Sequence, residues 1–114
     1  MKSKFTLGLV QMACAPDPAE NLTRAVAGVE EAARAGAKIV CLPELFRSRY
    51  FCQREDAALF DLAEPVPGPS TQALSAVAKR ERIAIIAPVF ERRAAGIYHN
   101  SAAIIDAGGE IVGL

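Results

Sequence analysis

One apolar run constrains this chain more than any other feature. Ile39, Val40, Cys41 and Leu42 follow one another without a polar break, and the run then meets Pro43 and the carboxylate of Glu44 before Leu45 and Phe46. A short apolar run flanked by helical pattern reads as a buried strand of a parallel sheet. Proline cannot donate to a ladder, so the strand stops there. In open α/β sheets ligands gather at the carboxyl ends of strands, and Glu44 sits at such an end.

The flanks fit an α/β reading. Phe5 to Ala13 predicts a first strand, with Leu7, Leu9 and Gln11 alternating with Gly8 and Val10. Asp17-Pro18-Ala19-Glu20 predicts a helix start in which Asp17 caps, Pro18 takes the first helical position and Glu20 closes a capping box. Leu22, Val26, Val29 and Ala33 form the stripe that this helix would bury, and Gly36 supplies a left-handed stop before a second strand from Lys38 to Leu42. The β-α-β order implies a parallel pair with a right-handed crossover.

Phe46 to Pro69 has little periodicity and holds Pro65, Pro67 and Pro69, so it reads as a loop with a short helical turn from Glu55 to Leu62. Loops of that length in compact domains are usually functional. Gly68-Pro69-Ser70-Thr71 opens a second helix with Leu74, Val77 and Ala78 on its buried side and Lys79, Arg80 and Arg82 at its carboxyl end. A third strand follows from Ile83 to Phe90, where Pro88 suggests an edge or a bulge. Ile97 to Asp106 and Glu110 to Leu114 read as two strands joined through Gly108-Gly109, a turn with neither the following helix nor the lysine of a phosphate loop.

Composition narrows the function classes. The chain has 114 residues, 52% of them apolar, enough for one domain with one core. Its 13 basic and 13 acidic side chains cancel, which removes the electrostatic footprint of a nucleic-acid binder and favours a small-molecule ligand. No run reaches the length of a membrane-spanning helix. Cys14, Cys41 and Cys52 are odd in number and form no C-x-x-C pair, which points to a reducing, cytoplasmic setting. Met1-Lys2-Ser3-Lys4, the apolar stretch after it and Cys14 have the outline of a lipoprotein signal, but Gln11 interrupts the stretch and the alternation favours a core strand.

Several spaced features then agree. They are the opening strand with Gln11, Asn21-Leu22 early in the helix, Leu42-Pro43-Glu44-Leu45-Phe46, Tyr50-Phe51-Cys52-Gln53, Pro67-Gly68-Pro69-Ser70-Thr71, Phe90-Glu91-Arg92 and Tyr98-His99-Asn100-Ser101. With this ordered set the chain resembles the amino-terminal part of a nitrilase-superfamily carbon-nitrogen hydrolase, closest to the N-carbamoylputrescine amidases. The resemblance implies a four-layer αββα sandwich, no cofactor, a homo-oligomer, and a Glu-Lys-Cys triad that cleaves a non-peptide C–N bond of a small amide or carbamoyl amine through a thioester. Of that triad only the glutamate maps here, at Glu44; residues 1–114 then form the amino-terminal portion of one domain, ahead of the lysine and the cysteine, and are expected to be inactive alone. The alternatives are another amidase of the superfamily, β-ureidopropionase-like or omega-amidase-like, and a non-catalytic chain that binds a partner.

The chemistry explains the carboxylate. An unperturbed thiol has a pKa of about 8.5 and is only slightly ionised at neutral pH, so a neighbouring base must take its proton, and Glu44 would be that base. Tyr50 and Phe51 follow at a distance that lets the loop fold back, either as an aromatic wall for a substrate with an aliphatic chain and a cationic end or as an anchor for the loop. Asn100 is a candidate support behind the site. Cys14 and Cys41 read as strand residues, and Cys52, the one plausible reactive thiol, lacks the electropositive setting a nucleophile needs. His99 is the single histidine, and without a second one or clustered carboxylates no metal site is expected. Arg47, Arg49, Arg54, Glu55 and Asp56 read most simply as a solvated loop.

Overall fold

The computed structural model describes residues 3–114; Met1 and Lys2, where the signal-like pattern begins, lie outside the described residues. Asp17 is extended and its side chain accepts the Ala19 N–H at 2.9 Å, with Pro18 opening helix α1 (Pro18–Arg34). Glu20 does not close a capping box. It pairs with Arg24 one turn further on. The buried stripe of α1 is Asn21, Ala25 and Val29, with Leu22, Val26 and Ala33 half-buried beside it. The stripe is displaced because Asn21 is drawn inward by three hydrogen bonds to Ala15 and Arg47, a polar anchor that apolar periodicity does not register. Gly36 follows the helix at φ 94°, the left-handed conformation expected of it.

Strands β1 (Thr6–Leu9) and β2 (Ala37–Cys41) pair in parallel, as the β-α-β order predicts. The first strand is much shorter than Phe5 to Ala13. Its one neighbour, β2, ends opposite Leu9, and after a last bond from Val10 N–H to Cys41 O at 3.0 Å the chain leaves the sheet. Cys14 therefore lies in a loop and does not end a strand; its thiol donates to Phe46 O at 3.2 Å.

The long loop contains one 3-10 turn (Ala57–Leu62) capped by the Asp56 side chain. Helix α2 (Pro69–Glu81) starts at Gly68, whose N–H donates to the Thr71 hydroxyl at 2.9 Å, and ends at Arg82 with φ 55°. Strands β3 (Ala84–Ala94), β4 (Ile97–Ile105) and β5 (Ile111–Gly113) complete a sheet in the order β1-β2-β3-β4-β5, antiparallel from β3 onward. The last hairpin turns where Gly108-Gly109 predicts, with Asp106 Oδ1 accepting the N–H groups of Gly108 and Glu110 and Gly109 at φ 85°.

One expectation for β3 needs correction and one holds. The strand does not end at Phe90 but runs to Ala94, because Glu91 is covered and neutralised within the sheet. Pro88 marks no bulge, since it pairs regularly with Ala102, but it does mark a local edge of β3 on the side of β2, whose pairing stops at Ile86. Ile86 O accepts from Leu42 on the β2 side, and polar groups two residues apart share an edge, so the donor missing at Pro88 faces ground that β2 has already left.

Helices α1 and α2 pack together on one face of the sheet. There Val40, Ile85, Ala87, Ala103 and Ile105 are buried with Ala25, Val29, Leu74, Val77 and Ala78 of the helices. The other face is apolar as well, through Leu7, Leu9, Cys41, Ile86 and Ile104; Phe51 and Phe60 pack on Phe90 and Tyr98 at its far end, but no described element covers the β1 side, where Leu9 is 80% exposed and Leu7 59%.

Candidate active site

Glu44 leaves the carboxyl end of β2 two residues past the sheet, after Leu42 N–H makes a last bond to Ile86 O at 3.1 Å. Its carboxylate is exposed, and Oε1 accepts a hydrogen bond from Asn100 Nδ2 at 2.7 Å. Asn100 reaches it from β4, where it stands opposite Phe90 on the uncovered face of the sheet. Fifty-six positions separate the two residues in sequence, and the sheet register brings them together. A carboxylate so placed can accept a proton from a group above the open face while the amide holds its other oxygen's direction.

The backbone around Glu44 is constrained. Leu45 has φ 51°, a left-handed conformation that costs a branched, non-glycine residue about 1–3 kcal/mol and persists only where the surroundings dictate it. Leu45 and Phe46 are both buried, Ser48 N–H donates to Leu45 O, and Cys14 and Asn21 donate to the carbonyls of Phe46 and Arg47. Arg47 is not a solvated loop residue. Its guanidinium pairs with Glu64, and Glu64 also accepts from Ser70 N–H and Ser70 Oγ at 2.9 Å, at the amino end of α2 where a negative charge is favoured.

Tyr50 is 53% exposed, and its phenol is held above the ordinary range first by a hydrogen bond with the Cys52 thiol, then by the charges of Cys52 and Glu44. Phe51 turns away from that group. Its ring packs 4.9 Å from Phe90, within a set in which Phe60 lies 4.5 Å from Tyr98. Phe51 and Phe90 also line an apolar hollow of about 420 Å³ with Cys52, Leu59 and Phe60, and Tyr50 and Phe51 line a second of about 440 Å³. Glu44 and Asn100 line neither hollow, so the structure brings Glu44 and Asn100 together and leaves Tyr50 exposed on the loop and Phe51 as a packed ring.

Other candidates fall outside this group. Cys52 is exposed, Cys41 lies half-buried in β2, and His99 is exposed on β4 opposite Glu91. Among the described residues no three His, Cys, Asp or Glu side chains gather as metal ligands, and no helix is long and apolar enough to cross a membrane. Sequence reasoning missed two buried carboxylates, Glu64 and Glu91. Glu91 is only 3% exposed, and hydrogen bonds from Arg93 and then Ser101 hold its carboxyl below the usual range.

Residues 6–114 match the carbon-nitrogen hydrolase family. The chain belongs to that family. An omega-amidase of Mus musculus is 40% identical over 111 residues, covering 96% of this chain and 38% of its own length. An N-carbamoylputrescine amidase of Oryza sativa subsp. japonica is 38% identical over 113 residues, covering 98% of this chain and 37% of its own. The crystal structure of a carbon-nitrogen hydrolase from Helicobacter pylori G27 superposes with a TM-score of 0.88 at 32% identity, over 96% of this chain and 38% of that one. The chain thus spans under two-fifths of the length of these relatives, and its sheet with two helices is the amino-terminal part of the nitrilase-type fold.

Proposed function

We propose that this carbon-nitrogen hydrolase chain supplies the general base of an amidase, with Glu44 as the base, Asn100 behind it and Tyr50 and Phe51 on the substrate side. The observation that carries the reading is the Asn100–Glu44 hydrogen bond at the carboxyl end of β2, on the open face. In a Glu-Lys-Cys mechanism Glu44 takes the thiol proton, the thiolate attacks the carbonyl carbon, and the C–N bond breaks as the proton passes to the departing nitrogen. Water then cleaves the thioester. The lysine would stabilise the oxyanion of each tetrahedral intermediate. On this reading the lysine and the nucleophile come from outside these 114 residues, and the chain alone is expected to lack the covalent route.

The substrate we favour is N-carbamoylputrescine, which with water gives putrescine, carbon dioxide and ammonia in polyamine synthesis; the enzyme would be a cytoplasmic homo-oligomer. An exposed Tyr50 on the loop that follows Glu44, with the packed rings of Phe51 and Phe90, suits an aliphatic chain with a cationic end. The similarity to an omega-amidase, 40% against 38%, favours a second reading in which an omega-amide is cleaved. Ammonia release decides between them. A complete hydrolase carrying these residues should prefer N-carbamoylputrescine over an omega-amide by at least about tenfold in kcat/KM, and the reverse preference would establish the second reading. Release by the 114-residue chain above a Glu44→Ala control would overturn the account of the missing route.

A further inference from the structure

Glu44 is exposed, and nothing in its own side chain fixes the direction in which it leaves β2. Its direction is set by the turn Leu45-Phe46-Arg47, in which the Cys14 thiol donates to Phe46 O at 3.2 Å and Arg47 is tied to the rest of the molecule at two points. Asn21, fully buried in the first turn of α1, donates through Nδ2 to Arg47 O at 3.0 Å and to Ala15 O at 2.8 Å, and accepts Ala15 N–H at 2.7 Å. Both N–H groups and the oxygen of one amide are thus engaged in joining the turn after Glu44 to the loop before α1. Glu64 makes the second tie. Its carboxylate holds the Arg47 guanidinium, whose Nε is buried with no partner of its own, and is itself fixed by Ser70. Glu64 is in turn clamped along β3 by its N–H to Phe90 O and by Arg92 N–H to its carbonyl, both at 2.9 Å.

These ties share one geometrical consequence. Phe90 stands opposite Asn100, so the strand that anchors Glu64 also carries the partner of the amide that bonds Glu44. We propose that Asn21 and Glu64 are positioning residues for Glu44, holding the left-handed Leu45 turn in register with β4 so that the carboxylate meets Asn100. Neither touches the reacting atoms. The proposal rests on the reading of Glu44 as the base.

The test is a double-substitution cycle in a complete hydrolase carrying these residues, with ammonia release as the readout. Asn21→Asp removes both amide donors, and the milder Glu64→Gln keeps the shape and the Ser70 acceptor but loses the charge facing Arg47. Each should lower kcat by about tenfold or more with KM changed less than about twofold, while Asp106→Ala, which loosens the distant β4–β5 turn, should leave kcat unchanged. In a Glu44→Gln background the same two substitutions should cost less than about twofold, because their effect runs through Glu44. An equal fall in both backgrounds, or no fall in the first, would overturn the proposal. A crystal structure of Glu64→Gln settles the case where background turnover is too low to measure: Asn100 Nδ2 should lie beyond hydrogen-bond reach of Glu44, and an unchanged 2.7 Å contact would refute the positioning role. Full activity in Glu44→Gln itself would reject the base and not the ties.

Discussion

The two faces of the sheet are built from the same kind of residue and meet different fates. Ile85 and Ile86 are neighbours on β3; Ile85 points into the helices and is fully buried, whereas Ile86 points to the uncovered side with Cys41 and Ile104. A parallel strand apolar on both faces is made to be covered on both. Only the helix-covered face forms a core within these residues, and Glu44 and Asn100 stand on the other, which is why a carboxylate suited to acid–base work is here open to solvent.

The comparison can be broken by truncation. Ile85→Ala should destabilise the chain by roughly 2–5 kcal/mol in urea unfolding, since the helices cannot collapse onto the space left behind. Ile86→Ala should cost no more than about 1 kcal/mol, because it forfeits partial burial without making a cavity, and should reduce binding of an apolar dye to the open face. Equal costs would mean that the open face is already covered in solution, for example by a second copy of the chain.

A smaller effect sharpens the same contrast at the rim of the sheet. Because Arg93 and Ser101 favour ionised Glu91, its folded pKa lies below the unfolded value of about 4.3, so its contribution to stability is complete above that pH and disappears as pH falls through the lowered folded value. Arg93 is half exposed and solvent weakens the pair, so the effect is modest. Glu91→Gln should flatten the decline of stability between neutral pH and pH about 3, and an unaltered decline would show that other carboxylates carry it.

The sequence made legible what depends on neighbours along the chain. Asp17 and Pro18 start a helix, Gly36 ends one, Gly109 turns a hairpin, and the run ending at Pro43 delivers Glu44 to the carboxyl end of a strand. Each of these is decided within a few residues by capping, left-handed backbone or a missing donor. What escaped depends on partners from afar. Glu64 and Arg47 look solvated until a fold sets them together across 17 positions, and the third strand reads as ending at Phe90 until Ser101 and Arg93 satisfy the buried carboxylate of Glu91. The end of β1 escaped for a related reason: apolar alternation persists past Leu9, but the neighbouring strand does not. The side chain of Asn21 drew attention through a motif, and only its three bonds give that motif a physical role.

The central claim is that Glu44 is a base held on the open face by Asn100. Glu44→Gln in a complete hydrolase carrying these residues tests it most directly, because the amide is nearly isosteric and keeps a carbonyl oxygen for Asn100 but cannot take a thiol proton at neutral pH. The account predicts that kcat/KM falls by about a hundredfold to ten-thousandfold with the fold intact by circular dichroism. A variant retaining more than about a third of the original kcat/KM, a difference below about 1 kcal/mol, would contradict it.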